Sequence, residues 1–580
     1  MPKGYRNEWE KTMSKIKKGV RLLLTQGPAA VLVKLRNKRI EHLREAAFRE
    51  KAKKVHLITE EQREYQKKYT FEEPIKFSII TPLYNTPREY LLELLHSVQR
   101  QTYSDWQLCL ADGSDGAHAY VGKICREYAG RDARIVYTAL PENKGISENT
   151  NACIALADGQ YLGLLDHDDV LHESALFEMR RAIQKFHADF LYSDEVKFSG
   201  RIEDATDFNF KPGFGKDELR SHNYICHFTV FSRKLLERVN EAAPSGHLVF
   251  SKVYRPEFDG SQDHDMVLRL TEKAEKVIHV PKVLYYWRVH PESVSMNLDS
   301  KSYAVDAAIR AVQEQLERVG EPGKVSSNLP YRTIYRVRYE IDPCARVAIV
   351  VHHLDSEKEF AEYKEKVRKA TDYPHLEWAP VFGENGRNLG SLLNQAARNT
   401  EAEYLVILDA KCMPLTAGWI EEMLMFAGRR DVAAVAPKIL FPDHTIAYAG
   451  IALAKEREEK IRFLCRGIPN TEQGYEAILR YVRNTTAVWK GCFMVERQKL
   501  LSIGGFSEEM PGYEEIDFSL RAAEQGYRHV WTCFAEVEYQ KAQIEDFKTE
   551  GRESFSRQWE TILAKEDPYD HKNWKRFKLV

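Results

Sequence analysis

Residues 161–176 read "YLGLLDHDDVLHESAL". Five mostly apolar residues run straight into Asp166, Asp168 and Asp169, with His167 among them, so a buried strand delivers three carboxylates within four positions to one point. Residues 404–419, "YLVILDAKCMPLTAGW", repeat the strand and its first acid, Asp409, but carry Lys411 and Cys412 where Asp168 and Asp169 stand. One copy keeps the charge and the other replaces it. Carboxylates this close repel one another unless a cation sits between them, and Mg2+ or Mn2+ takes such oxygen ligands alongside substrate phosphates. A lone acidic pair would read as a helix cap, with Asp169 as the capping residue. Three acids in four positions after a buried strand favour a metal.

The flanking pattern supplies the frame for this point. From Phe77, "FSIITPLYN" is a short apolar strand, and Leu91, Leu94, Leu95 and Val98 after it recur at helical period. The strand "WQLCLADGSD", a helix, the strand "RIVYTAL", a helix over 147–157 and the strand ending at Asp166 follow. Strands alternating with helices predict an α/β fold with a mostly parallel sheet covered on both faces. Such sheets bind ligands at the carboxyl ends of their strands, which is where Asp112 and the 166–169 cluster fall. The plan occurs twice: 89 residues separate Phe77 from Asp166 and 62 separate Val347 from Asp409. The second copy is therefore shorter by 27 residues, about one helix and one strand, and "VFGENG" stands nearest to where "LADGSD" would be.

With 580 residues, 43 % hydrophobic and 29 % charged, the chain has the composition of a soluble globular protein of two to four domains. The net charge of -1 conceals an asymmetry, because residues 1–70 hold 19 Lys and Arg against 8 Glu. Nine cysteines show no CxxC pair and several sit in apolar runs, which reads as a reducing, cytoplasmic home. A signal peptide is not expected, and the longest apolar run, "LLLTQGPAAVLV", falls short of the about 20 residues that span a bilayer. The N-terminal segment interleaves Lys and Arg with Leu, Val and Ile, which suits basic amphipathic helices on an anionic membrane surface; the alternative is a helical hairpin packed on the next domain. Nucleic acid is not expected as a partner, since no aromatic platform accompanies the charge.

Six elements, in order, carry a specific resemblance: "SIITPLYNTP", "QTYSDWQLCLADGSD", "NKGISENTNACIALADGQYLGLLDHDD", "YSDE", "FDGSQDHDMVLRL" and "YYWRVHPESVS". The chain resembles a family 2 glycosyltransferase of GT-A fold, from the bacterial surface-polysaccharide branch. A second, degenerate GT-A domain is carried by "VWKGCFMVERQKLLSIGGFSEEMPGYEEIDFSLRAAEQGY". The resemblance divides the chain into a basic helical segment (1–74), a catalytic domain (75–325), the degenerate domain (346–560) and a tail (561–580). It implies an inverting, metal-dependent transfer from a nucleotide-sugar to a growing, lipid-linked bacterial surface glycan. A UDP-sugar is the favoured donor and dTDP-rhamnose the alternative.

Residue by residue, the resemblance implies that Pro82, Tyr84 and Asp112 surround the base and ribose, and that Asp166 and Asp168 form a DxD pair holding Mn2+ or Mg2+ against the diphosphate. Asp263 aligns with the general base that takes the acceptor proton, and Asp265 reads as a cap of the same helix. Arg288 is implied as a diphosphate contact, His290 as a metal ligand from the far side and Asp194 as a sugar contact. Two departures stand out: Ala111 replaces the first acid of "DDGS", and Gln262 replaces the glutamate before the base. Tyr224 and Phe228 fit either acceptor contacts or core. The histidines show no HxxxH or HExxH spacing, so zinc chemistry is not supported, and GxGxxG and GxxxxGK[ST] are absent. The competing readings are a bifunctional polymerase, for which Glu515 would stand as a second base, and a non-catalytic carbohydrate-binding assembly protein.

Overall fold

The structure, a computed structural model, describes residues 47–241, 253–290, 302–383, 388–544 and 549–580. The first sheet is built from β1 (Phe77–Leu83), β2 (Trp106–Asp112), β3 (Ile135–Ala139), β4 (Tyr161–Leu164), β5 (Val170–Leu171), β6 (Phe190–Phe198), β7 (Asp207–Asn209), β8 (Thr229–Ser232) and β9 (Val277–Arg288). Its order is β3-β2-β1-β4-β8-β6-β9-β5, with β7 beside β6. From β3 to β4 all pairings are parallel. β8 then runs antiparallel to both β4 and β6, and β5 antiparallel to β9. β6 and β9 pair in parallel, so six strands of the sheet run the same way, as expected, and β8, β5 and β7 run against them. Apolar runs buried on both faces read alike whichever way the neighbours run.

β1 and β2 are buried along their whole length, and the helix Arg88–Gln99 turns Leu91, Leu94, Leu95 and Val98 inward at the spacing of its sequence. Gly163 on β4 is required by packing, since a Cβ there would come within 2.7 Å of the Phe228 ring. Phe228 and Tyr224 are both buried, which assigns them to the core.

After a hairpin of β10 (Gly323–Asn328) and β11 (Tyr331–Tyr339), the second sheet uses β12 (Val347–Leu354), β13 (Leu376–Phe382), β14 (Tyr404–Asp409), β15 (Cys412–Pro414), β16 (Val432–Leu440), β17 (Ile446–Tyr448), β20 (Arg483–Thr485), β21 (Cys492–Glu496) and β22 (Arg528–Tyr539); β18 (Ile451–Leu453) and β19 (Ile461–Phe463) pair separately. The order β13-β12-β14-β21-β16-β22-β15 repeats the first sheet strand for strand, with the same parallel and antiparallel directions, but among the described residues nothing occupies the place of β3. Missing that edge strand, β13 is only half-buried along most of its length.

One apolar core runs through both sheets, and a second, with Phe77, Ile79 and Leu108, belongs to the first sheet alone. At their junction the helix Lys216–Ser221 sets Asp217 against Arg429, Glu218 under the Tyr481 hydroxyl at 3.0 Å, and Ser221 Oγ 2.9 Å from the Val482 carbonyl. The C-terminal helix Lys572–Phe577 returns to the first sheet, where Trp574 Nε1 donates to the Phe210 carbonyl at 3.0 Å. Residues 47–56 are helical and pack there too: the Tyr286 hydroxyl donates to the His56 carbonyl at 2.8 Å, and Phe48 meets Phe577 at 5.2 Å between ring centroids. The helix Glu60–Lys68, opened by a Thr59–Gln62 capping box, is pinned by an Arg63–Glu173 pair at 2.7 Å. The described part of the N-terminal segment therefore behaves as a packing arm. Residues 1–46, with most of the basic amphipathic pattern, lie outside the described residues. Among those described, no helix is long and apolar enough to cross a membrane.

Candidate active site

The acids of the opening stretch fall where β4 ends, beside the ends of β1 and β2. Asp169 is buried and held at both oxygens: the Tyr285 hydroxyl donates to Oδ2 at 2.7 Å and the Arg288 backbone N–H to Oδ1 at 2.7 Å. Burial first, then the neighbouring charges of Asp168 and Asp166, pushes its carboxyl well above the ordinary value. Asp169 thus fixes the loop to β9, and it caps no helix. Asp168 points to the other side, its Oδ2 2.9 Å from His290 Nε2, while its carbonyl accepts from Arg288 Nε at 2.7 Å.

Asp166 is half exposed, with Oδ2 3.3 Å from His227 Nε2. Burial works to raise its pKa, but the His227 hydrogen bond and the charges of His227 and His167 outweigh it and hold the carboxylate below its ordinary value. His227 lies flat on Tyr285, with ring centroids 4.6 Å apart, and its Nδ1 is 3.2 Å from Glu195 Oε2. Glu195 in turn receives the buried Lys211 ammonium at 3.1 Å. Burial opposes an imidazolium here, yet Cys226, Asp166 and Glu195 together keep His227 well above its ordinary value.

Asp263 opens the helix Gln262–Lys273, where its Oδ2 accepts from Asn223 Nδ2 at 2.8 Å and lies 3.6 Å from Cys226 Sγ. Cys226 Sγ is itself 3.4 Å from His227 Nε2, so the expected base approaches, through Cys226, the imidazole that Asp166 meets. The expected cap, Asp265, is corrected: it is buried between Arg255, at 2.5 Å, and Arg269, at 2.8 Å, one turn along the same helix. That double ion pair leaves no oxygen for the helix N–H groups.

At the ends of β1 and β2, Pro82 is buried against Ala111 and Tyr84 is exposed. Asp112 is buried, accepting from the Ser114 N–H at 2.9 Å and the Tyr137 hydroxyl at 3.1 Å. Arg288 does not reach outward. Its guanidinium lies over the Tyr90 and Phe198 rings, at 4.2 and 4.5 Å, and pairs with Glu93. These contacts make it the anchor of the Asp168 backbone. Asp194 is corrected as a sugar contact, because its carboxylate is fully buried between His279, at 2.8 Å, and His571, at 2.9 Å. Consecutive strand residues face opposite ways, so it is Glu195 that stands at the cluster.

Asp166, Asp169 and His227 offer ligand atoms within 4.8 Å of one another, with the Asp168–His290 pair alongside. The carboxylates of Asp166 and Asp168 are oxygen donors of the kind a hard divalent cation takes. In the second unit Asp409 keeps its place, its Oδ1 accepting the Lys411 backbone N–H at 2.8 Å, and the side chains of Lys411 and Cys412 supply no carboxylate.

Residues 78–239 match Glycosyl transferase family 2. The chain is 30 % identical over 497 residues to an uncharacterized protein, y4gI, of Sinorhizobium fredii, covering 79 % of this chain and 52 % of that one. It is 29 % identical over 484 residues to the O-antigen biosynthesis protein RfbC of Myxococcus xanthus, covering 79 % and 36 % respectively. The chain thus spans about half of the first of these relatives and about a third of the second. Among solved structures, S. aureus TarS 1-349 in complex with UDP-GlcNAc aligns at 19 % identity with a TM-score of 0.33, over 42 % of this chain and 66 % of that one, which is too loose to carry an argument. The match to Glycosyl transferase family 2 falls within the domain built on the first sheet.

Proposed function

We propose that the first unit transfers a sugar from a nucleotide-sugar to a hydroxyl of a growing bacterial cell-surface glycan, with inversion at the anomeric carbon. The observation that carries the reading is that Asp166 meets His227, that Asp263 approaches the same imidazole through Cys226, and that Asp168 stands alongside on His290, all at the carboxyl edge of the first sheet. The match of residues 78–239 to Glycosyl transferase family 2 and the likeness to an O-antigen biosynthesis protein of Myxococcus xanthus support it.

In this reading the Asp263 carboxylate takes the acceptor O–H proton while that oxygen forms the bond to the anomeric carbon. The bond from that carbon to the phosphate oxygen breaks, and the nucleoside diphosphate leaves with the electron pair. Asn223 holds Asp263 Oδ2 in place for this. Tyr84 and Asp112 stand at the strand ends where the nucleoside would lie, and Arg288 keeps the Asp168 loop in register. Asp166 and Asp168, with His290 behind Asp168, would hold Mn2+ or Mg2+, which when bound neutralises charge on the leaving diphosphate. The donor is a UDP-sugar, with dTDP-rhamnose as alternative, and the acceptor a lipid-linked glycan. The second unit, which has Lys411 and Cys412 in place of two acids, serves as a scaffold rather than a second transferase.

The test is a screen of nucleotide-sugars for cation-dependent release of nucleoside diphosphate by the full chain. Release from one donor, abolished in Asp168→Ala, is expected. Release that survives this substitution would remove the DxD assignment.

A further inference from the structure

We propose that the second unit has a cation site of its own, formed by His352, His353 and Asp409 and suited to a borderline transition-metal dication such as Zn2+. The inference does not depend on the reading of the first unit, whose oxygen-rich cluster lies on the other sheet. The three side chains offer ligand atoms within 4.8 Å of one another. Asp409 ends β14 opposite His352 at the end of β12, in the register by which Tyr404 faces Val347. The site therefore occupies the strand ends corresponding to those of Pro82 and Asp166.

Two neighbouring residues of a strand normally face opposite ways. Here the pairing of β12 with β13 shifts between Val351 and Leu354, and His353 adopts a left-handed φ of 59°. That irregularity brings both imidazoles to one side, with ring centroids 4.6 Å apart. His353 Nδ1 lies 2.9 Å from Asp409 Oδ2. An independent observation concerns His352, which is fully buried: its Nε2 is 3.0 Å from the Lys490 carbonyl, and its Nδ1 has no hydrogen-bond partner among the described residues. A buried ring nitrogen without a partner is costly unless something supplies one, and a metal ion would.

Two imidazoles and one carboxylate favour Zn2+, Co2+ or Ni2+ over Mg2+. Of the positive neighbours, the Lys490 ammonium is paired with Glu514 at 3.2 Å, and the Lys411 backbone N–H donates to Asp409. His353 is about one-third exposed, which leaves a fourth position open to water or to an oxygen ligand.

The experiment uses the full chain without a histidine tag, in excess Mg2+ to saturate oxygen-rich sites, and measures Zn2+ by competition with a chromophoric chelator. One Zn2+ equivalent is expected to persist in Asp168→Ala. In His353→Ala, a partly exposed position, it should weaken by at least the roughly 10- to 100-fold that loss of a mere supporting partner costs. Co2+ should give visible absorption bands that the same substitution removes, and His352→Gln should repeat the result if His353→Ala proves poorly folded. Zn2+ affinity unchanged in both histidine variants, loss of the equivalent in Asp168→Ala, or no tight equivalent in the parent chain would each overturn the proposal.

Discussion

Glu218 sits at the junction of the two units, almost fully buried, with the Tyr481 hydroxyl donating to Oε1. Burial raises its carboxyl to about 7, and the charge of Arg483 and the Tyr481 hydrogen bond only partly offset that. The pKa is higher folded than unfolded, so the folded state holds the proton more tightly. Stability from this group is complete below the ordinary value of 4.5 and is lost as pH rises through about 7. At 1.36 kcal/mol per unit, the difference corresponds to roughly 3 kcal/mol between the protonated and ionised junction. Glu218→Gln keeps the size and the acceptor but cannot ionise. Thermal unfolding of parent and variant from pH 5 to pH 8.5 should show a gap that moves in the variant's favour by several degrees across this range. A gap that does not change with pH would refute the reasoning, because it would mean that Glu218 ionises without cost where it stands.

Asp263→Asn should still bind donor and cation but lose turnover by the roughly 10²- to 10⁴-fold typical of a missing general base; equilibrium binding beside steady-state rates checks this, and unchanged turnover removes Asp263 from the mechanism. Asp168→Ala should stay folded and lose cation-dependent donor binding, whereas Lys411→Ala should leave transfer intact; loss of transfer in folded Lys411→Ala would contradict the scaffold reading. Arg288→Ala frees the Asp168 backbone and the Glu93 partner, so donor affinity should fall more than in Arg288→Lys, read by titration of the nucleotide-sugar. The full chain should sediment with anionic liposomes at low salt and release at high salt. The chain lacking residues 1–46 should not, and equal sedimentation of the two would end the membrane reading.

Much of this protein was legible in one dimension. The strand–helix alternation and the doubled stretch ending at Asp166 and Asp409 predicted two related α/β units, because apolar period and acid placement are local properties of the chain. The 27-residue shortfall likewise matches a second sheet with no described strand in the place of β3. Strand direction was not legible, since a run buried on both faces carries no sign of whether β8 enters parallel or antiparallel.

The site divides in the same way. Acids at strand ends were visible as charge after apolar residues, but which neighbour of a pair turns inward depends on the register of a strand against its partners. "YSDE" could not say that Asp194 is buried between His279 and His571 while Glu195 meets His227. Nor could spacing rules find histidines scattered along the chain, because those rules assume ligands on one helix or loop. His227 and His290 reach the acids from other elements, and the paired imidazoles at 352 and 353 share a side only because the backbone of β12 is irregular there. Sequence determined which chemistry the chain carries to each strand end; tertiary structure alone decided which groups meet, since burial, register and left-handed turns are set by the packed neighbours and not by the local string.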